Sequence, residues 1–233
     1  QHVGDPLQGK AKKGVCQNPS NVVQTSMFFR AMLDAMDAWA TQGEAPPESQ
    51  VPKAHDGTLV SMEVWRNQFP KIPGIALPRE PNLLPLYYYG PQTEKGIIEQ
   101  LPPTVQDNAG YMVMVPAVDN DGNDVAGIRA PMVSTPLATY TGWNLRDRFF
   151  GEGAMHEFSG STIDFPETNE NRYATGDPRA SIKERYIDEA GYLKAIERAA
   201  QILIKGRWIL EEDLFRTLEL SKHWCSSRHD IRL

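Results

Sequence analysis

Between residues 18 and 43 apolar side chains recur at three- and four-residue steps: Met27, Phe28, Ala31, Met32, Ala35, Met36 and Trp39, with polar residues between them. That period lays them along one stripe of an α-helix. Asn21 or Ser20 can cap its start, and Gly43 can end it. Ala45-Pro46-Pro47 follows, where two prolines remove amide donors and disfavour helix, so an extended connection is expected. From 51 to 116 short apolar runs (59–64, 83–89 and 111–115) alternate with proline and glycine breaks. This region reads as short strands and long loops.

Residues 112–118 and 125–133 flank Asp119-Asn120-Asp121-Gly122-Asn123-Asp124. Asp-Gly between two extended runs is a strong hairpin signal, so a hairpin over 112–133 is expected. The acidic hexapeptide invites comparison with a calcium loop. An EF-hand needs its glycine at the sixth position and a bidentate Glu at the twelfth, whereas Gly122 is fourth, so a solvated turn is the better reading.

Beyond residue 176 the helical period returns. Asp177-Pro178 reads as an N-cap and first-turn pair ahead of 181–186. Tyr192, Leu193, Ile196, Ala199, Ala200, Leu203 and Ile204 form a stripe ending at Gly206, and Glu211, Glu212 and Asp213 open a last helix at its positive end. No internal repeat or low-complexity segment interrupts this order.

The chain has 233 residues, 40% of them hydrophobic and 23% charged, with 18 Gly and 18 Pro. This is the make-up of a loop-rich globular protein rather than a disordered, collagenous or coiled-coil one. Its longest apolar stretches fall far short of the roughly 20 residues that cross a bilayer, so no membrane span is expected. The formal charge is -6, and the basic residues cluster only at Lys10, Lys12 and Lys13. Nucleic-acid binding is not expected, because it draws its affinity from grouped cations. Residue 1 is Gln and no leader pattern precedes the folded part, so the chain reads as a piece of something longer. Cys16 and Cys225 match no metal or redox spacing. A disulfide, two thiols or a link to another segment all stay open, and a secreted or periplasmic compartment would follow only from oxidation.

The five histidines are His2, His55, His156, His223 and His229. His223, Cys225 and His229 could offer three zinc ligands but lack a fourth at motif spacing, so a polar tail is the preferred reading and no metal is expected. His55 sits beside Asp56-Gly57 in a turn, and His156 in a glycine-rich loop before Ser159-Gly160-Ser161. A serine hydrolase needs G-x-S-x-G, and the chain contains none. It also lacks H-E-x-x-H, a P-loop and G-x-G-x-x-G, so no cofactor is expected.

Several segments carry a resemblance through nearly the whole chain: Cys16-Gln17-Asn18-Pro19, Phe29-Arg30-Ala31-Met32-Leu33, Ala45-Pro46-Pro47-Glu48-Ser49, Asp56-Gly57-Thr58-Leu59-Val60, the run 121–129, Pro136-Leu137-Ala138-Thr139-Tyr140-Thr141-Gly142-Trp143-Asn144-Leu145-Arg146, and Gly176-Asp177-Pro178-Arg179 with Glu184-Arg185-Tyr186. Together they resemble the C-terminal half of a large bacterial and fungal family named for its alpha/beta hydrolase domain. The Thr-Tyr-Thr-Gly-Trp-Asn string is the most specific of them.

The resemblance implies an α/β fold, of which this chain is the C-terminal portion: the end of the sheet and a packing helix over 1–45, an irregular strand-and-loop region over 46–175, and helices over 176–233. It implies a serine-dependent carboxylic ester hydrolase whose nucleophile and acid lie on a segment of the same gene product N-terminal to Gln1. In this fold the histidine follows the final strand and precedes a helix packed on the sheet, which makes His2 the candidate base. Without that sheet the helix face would be left uncovered. Tyr87, Tyr88, Tyr89, Tyr140, Trp143 and Phe149 could wall a pocket for a small ester. A non-catalytic binding or structural subunit of a larger assembly is the alternative.

Overall fold

The computed structural model describes residues 13–79, 84–156 and 160–229, with the side chains at 107–109 and 223–229 outside the description. Helices α1 (Ser26–Gln42), α2 (Met62–Gln68), α3 (Pro131–Ser134), α4 (Asn169–Thr175), α5 (Ile182–Tyr186), α6 (Glu189–Lys205) and α7 (Asp213–His229) and strands β1 (Leu59–Ser61), β2 (Pro85–Tyr88), β3 (Thr104–Gly110), β4 (Met114–Pro116), β5 (Ala138–Tyr140) and β6 (Thr162–Asp164) follow the order α1 β1 α2 β2 β3 β4 α3 β5 β6 α4 α5 α6 α7. The strands form three antiparallel pairs, β1 with β4, β2 with β3 and β5 with β6. Helix and strand are mixed as an α/β chain requires, but no parallel pair of a central sheet occurs among the described residues.

Two apolar clusters organise the chain. The larger gathers Val22, Val23, Met27 and Phe28 from the start with Leu137, Tyr140, Phe165, Ile182, Tyr192, Ile196 and Ile209. The smaller is built on Trp65, Phe69, Ile72 and Ile163, with Val115, Val118 and Trp143 packed against it.

Helix α1 starts later than its sequence suggests. Gly43 ends it in the left-handed conformation, as expected of a C-terminal glycine. Asn21 and Ser20, however, do not cap it; Thr25 stands at the N-cap without a side-chain bond. Asn21 is drawn away by tertiary bonds: its amide nitrogen donates to the Thr141 carbonyl at 2.9 Å, and its backbone N–H to the Gly160 carbonyl at 2.9 Å. Ser20 is bridged to Ser161. Residues 18–23 thus run extended against the motif-bearing 139–146 segment.

Gly160 makes that crossing possible. A Cβ there would stand 2.0 Å from the Thr141 carbonyl oxygen and 3.0 Å from the Asn21 Cβ. Gly160→Ala is therefore expected to push the two segments apart and to cost about 1–3 kcal/mol, the usual range for forced overpacking. A urea titration that left the midpoint unchanged would remove this role.

The hairpin expected over 112–133 is shorter than its pattern. The turn forms, with the Gly122 N–H on the Asp119 carbonyl, a Val118–Asp124 bridge and the Val125 N–H on the Ala117 carbonyl. The strand before it then pairs with β1 rather than with 125–133, and Pro131 opens helix α3 instead. Near the C-terminus Ser181, not Asp177, caps α5, in a capping box with Glu184. Asp177 is held by Arg179. The stripe of α6 buries Tyr192, Ile196, Ala199 and Ala200 as its spacing suggests, and Asp213 begins α7.

Candidate functional site

The motif Thr139 to Asn144 is a buried polar knot. The Thr139 hydroxyl donates to the Asp121 carbonyl and accepts from Arg179. The Thr141 hydroxyl donates to the Trp143 carbonyl and accepts from the Ser161 N–H at 3.0 Å. Asn144 is fully buried; its amide donates to the Asn18 carbonyl at 2.9 Å, and its oxygen accepts from the Leu145 N–H at 2.9 Å. Buried polar groups left unpaired are costly, so each residue type here is set by a partner.

Arg179 fastens the knot from below. All five of its N–H donors find acceptors: Asp177 twice at 2.9 and 2.6 Å, Thr139 at 2.8 Å, and the Ile163 and Asp164 carbonyls at 2.9 Å. Its side chain is 1% exposed and its guanidinium lies 5.0 Å from the Phe165 ring centre. Burial pushes the Asp177 carboxyl up, but the hydrogen bonds and charge of Arg179 outweigh that and hold it below the usual carboxylate range.

Two carboxylates of the acidic hexapeptide, Asp119 and Asp121, are engaged in the same way. Asp119 accepts from the Asp121 and Asn123 N–H groups and pairs with Arg129 at 2.8 Å. Asp121 takes a forked contact from Arg185. No group of three or more metal-ligating side chains occurs among the described residues.

The histidine candidate His2 lies outside the described residues. His55 is exposed in its turn. His156 donates its backbone N–H to the Asn144 carbonyl, and its Nδ1 is buried without a partner among the described residues. His223, Cys225 and His229 fall on α7, with side chains outside the description. Cys16 is a buried free thiol whose titration burial pushes up, with Arg146 opposing. Ser161 is buried and spends its hydroxyl on the Trp143 carbonyl at 2.7 Å, which is a structural role. The six aromatic candidates do not converge: Tyr140 is in the core, Phe149 is 75% exposed, and Tyr87 and Tyr88 lie on the exposed β2 strand.

Two apolar concavities among the described residues bear on function. One runs along α1, where Met27, Phe28, Ala31 and Ala35 are buried while Phe29, Met32, Leu33, Met36 and Trp39 are 51% to 62% exposed. With Pro46, Pro47 and Trp208 these side chains line an open groove of about 700 Å³. The helix is held in place by Arg30, which pairs with Glu212 and Asp213 at the start of α7.

The second is a pocket of about 220 Å³ walled by Met62, Trp65, Phe69, Val115, Val118 and Trp143, with Asp124 at its rim. Trp65 and Phe69 stand one turn apart on and just past α2, their rings 4.9 Å apart, and Trp143 closes on them at 6.2 and 6.0 Å. Gly122 permits this closure: it has φ 80°, and a Cβ there would meet the Phe69 ring at 3.1 Å. Trp65 and Phe69 were not singled out from sequence, although their four-residue spacing was visible.

The described residues form a scaffold of helices and short strands in which one amphipathic helix, α1, leaves half of its apolar side chains exposed. The chain belongs to the alpha/beta hydrolase domain family, whose model matches residues 2–219. No curated protein and no solved structure matches it. No helix among the described residues is long and apolar enough to cross a membrane.

Proposed function

We propose that this chain is the C-terminal part of a serine-dependent carboxylic ester hydrolase. In this reading a segment N-terminal to Gln1 carries the nucleophilic serine, the acid and the oxyanion-hole amides, and His2 is the base. His2 takes the serine proton as the hydroxyl attacks the ester carbonyl, then returns it to the leaving alcohol; a water repeats the sequence on the acyl-enzyme. In the same reading residues 1–45 belong to the end of the hydrolase sheet and its packing helix, 46–175 are an irregular strand-and-loop region, and 176–233 are helices.

The observation that carries this reading is the bare face of α1. An apolar stripe of five large side chains is costly to leave in water and marks a surface made for contact. Its place fits the helix that follows the histidine loop and packs on the sheet in an α/β hydrolase. Family membership supports hydrolysis as the class of reaction, and preference for esters rests on analogy alone.

The test is to express the gene with the sequence preceding Gln1 and treat the product with a fluorophosphonate probe. One labelled serine upstream of Gln1, with hydrolysis of a p-nitrophenyl ester blocked by the label, is the expected result. Absence of both label and turnover would overturn the reading and leave the aromatic pocket as the basis of a non-catalytic binding module.

A further inference from the structure

Beyond that reading, the pocket between α2 and the turn at 119–124 has features of its own. Its walls are apolar, and the Thr141 hydroxyl on its border is committed to the Trp143 carbonyl and the Ser161 N–H. Among the described lining residues Asp124 bears the only charge, and no described donor bonds its carboxylate. Asp124 keeps solvent access along one side. No ion pair joins it to the neighbouring cation Arg129, whose Nη2 pairs with Asp119 and also donates to the Val133 carbonyl at 3.1 Å.

We propose that this pocket is a binding site for a small organic cation, an aromatic or aliphatic group bearing a protonated amine. Roughly 150 Å³ of apolar cavity accommodates one benzene ring, so about 220 Å³ fits a ring with a short substituent. The ring lies among Trp65, Phe69 and Trp143, whose faces also attract a positive charge. The ammonium meets Asp124, whose carboxylate no described donor bonds. An anion would face that carboxylate, and an uncharged ligand would gain nothing from it. The surrounding walls push the Asp124 carboxyl up to about 6, with Asp119 adding to the shift and Arg129 opposing it. Cation binding therefore strengthens as pH rises through this range, where the carboxylate forms.

The inference does not depend on ester hydrolysis, and its readout is binding. Calorimetric titrations of the full-length protein at pH 8 would compare benzylammonium, benzyl alcohol and benzoate. Benzylammonium is expected to bind at least about tenfold more tightly than benzyl alcohol, a difference of about 1.4 kcal/mol, and benzoate not at all. Asp124→Asn should erase that preference while benzyl alcohol still binds, and Trp143→Ala should weaken both. Lowering the pH to 5 should weaken benzylammonium alone. Equal affinities for the three compounds, no binding of any, or a cation preference that survives in the folded Asp124→Asn protein would overturn the proposal.

Discussion

Arg179→Met is expected to lower the unfolding free energy by about 3–5 kcal/mol, the range seen when one partner of a buried pair is removed. The size follows from what the change leaves behind. Asp177, 8% exposed, would keep a buried charge with no counter-ion, and the Thr139 hydroxyl with the Ile163 and Asp164 carbonyls would lose their donor. Met fills much of the volume, so the loss reports on hydrogen bonds rather than on a cavity. Arg179→Lys keeps the charge but not the fork, and should recover less than half of the loss. The same pair sets an acid limit. The folded Asp177 titrates below its unfolded value, so its contribution is present above about pH 4 and disappears as pH falls through the lower folded value. Chemical denaturation at pH 7 and pH 3 should therefore show the Arg179→Met deficit shrinking in acid; an equal deficit at both would argue that the ion pair is not its source.

The second large effect tests the catalytic role proposed for His2. In the full-length protein, His2→Ala is expected to reduce ester turnover by about 10⁴- to 10⁶-fold, as loss of a triad base does, with little change in thermal stability. Labelling by a fluorophosphonate should fall with it, because the serine loses the group that takes its proton. A His2→Ala enzyme with near-normal kcat would remove His2 from the mechanism while leaving a labelled serine to be explained by another base. His156 would then be the next residue to replace, since its Nδ1 is buried and unpartnered among the described residues.

The two patterns most visible in the chain are both structural. The Thr-Tyr-Thr-Gly-Trp-Asn string, the strongest mark of family, is specific because its hydroxyls and amide are buried against partners up to 126 residues away, as Asn144 is against Asn18. Its chemistry is that of a fastening. The acidic hexapeptide likewise looks like a ligand set and serves as a turn in which the Asp119 and Asp121 carboxylates are taken by Arg129 and Arg185. Type and spacing alone could not separate these uses, because an Asp that binds a metal and an Asp that binds an arginine read the same.

Local periodicity determined the long helices. The stripe of α6, the terminal Gly43 of α1 and the acidic opening of α7 needed only neighbours within a turn or two, and they lie where the pattern puts them. The Ser181 capping box with Glu184 was also legible, as a Ser followed three residues later by Glu, and was passed over in favour of Asp177-Pro178. Membership of the alpha/beta hydrolase domain family was legible in the motifs as well. The tertiary structure alone decided where Asn21 spends its hydrogen bonds, that β4 pairs with β1 across more than fifty residues instead of with the run beyond its turn, and which half of α1 stays bare. Each is a competition between a nearby partner and a distant one. A helix cap is worth about 1 kcal/mol, and a fully desolvated pair or a closed knot outweighs it, so the distant partner prevails wherever the fold brings it within reach.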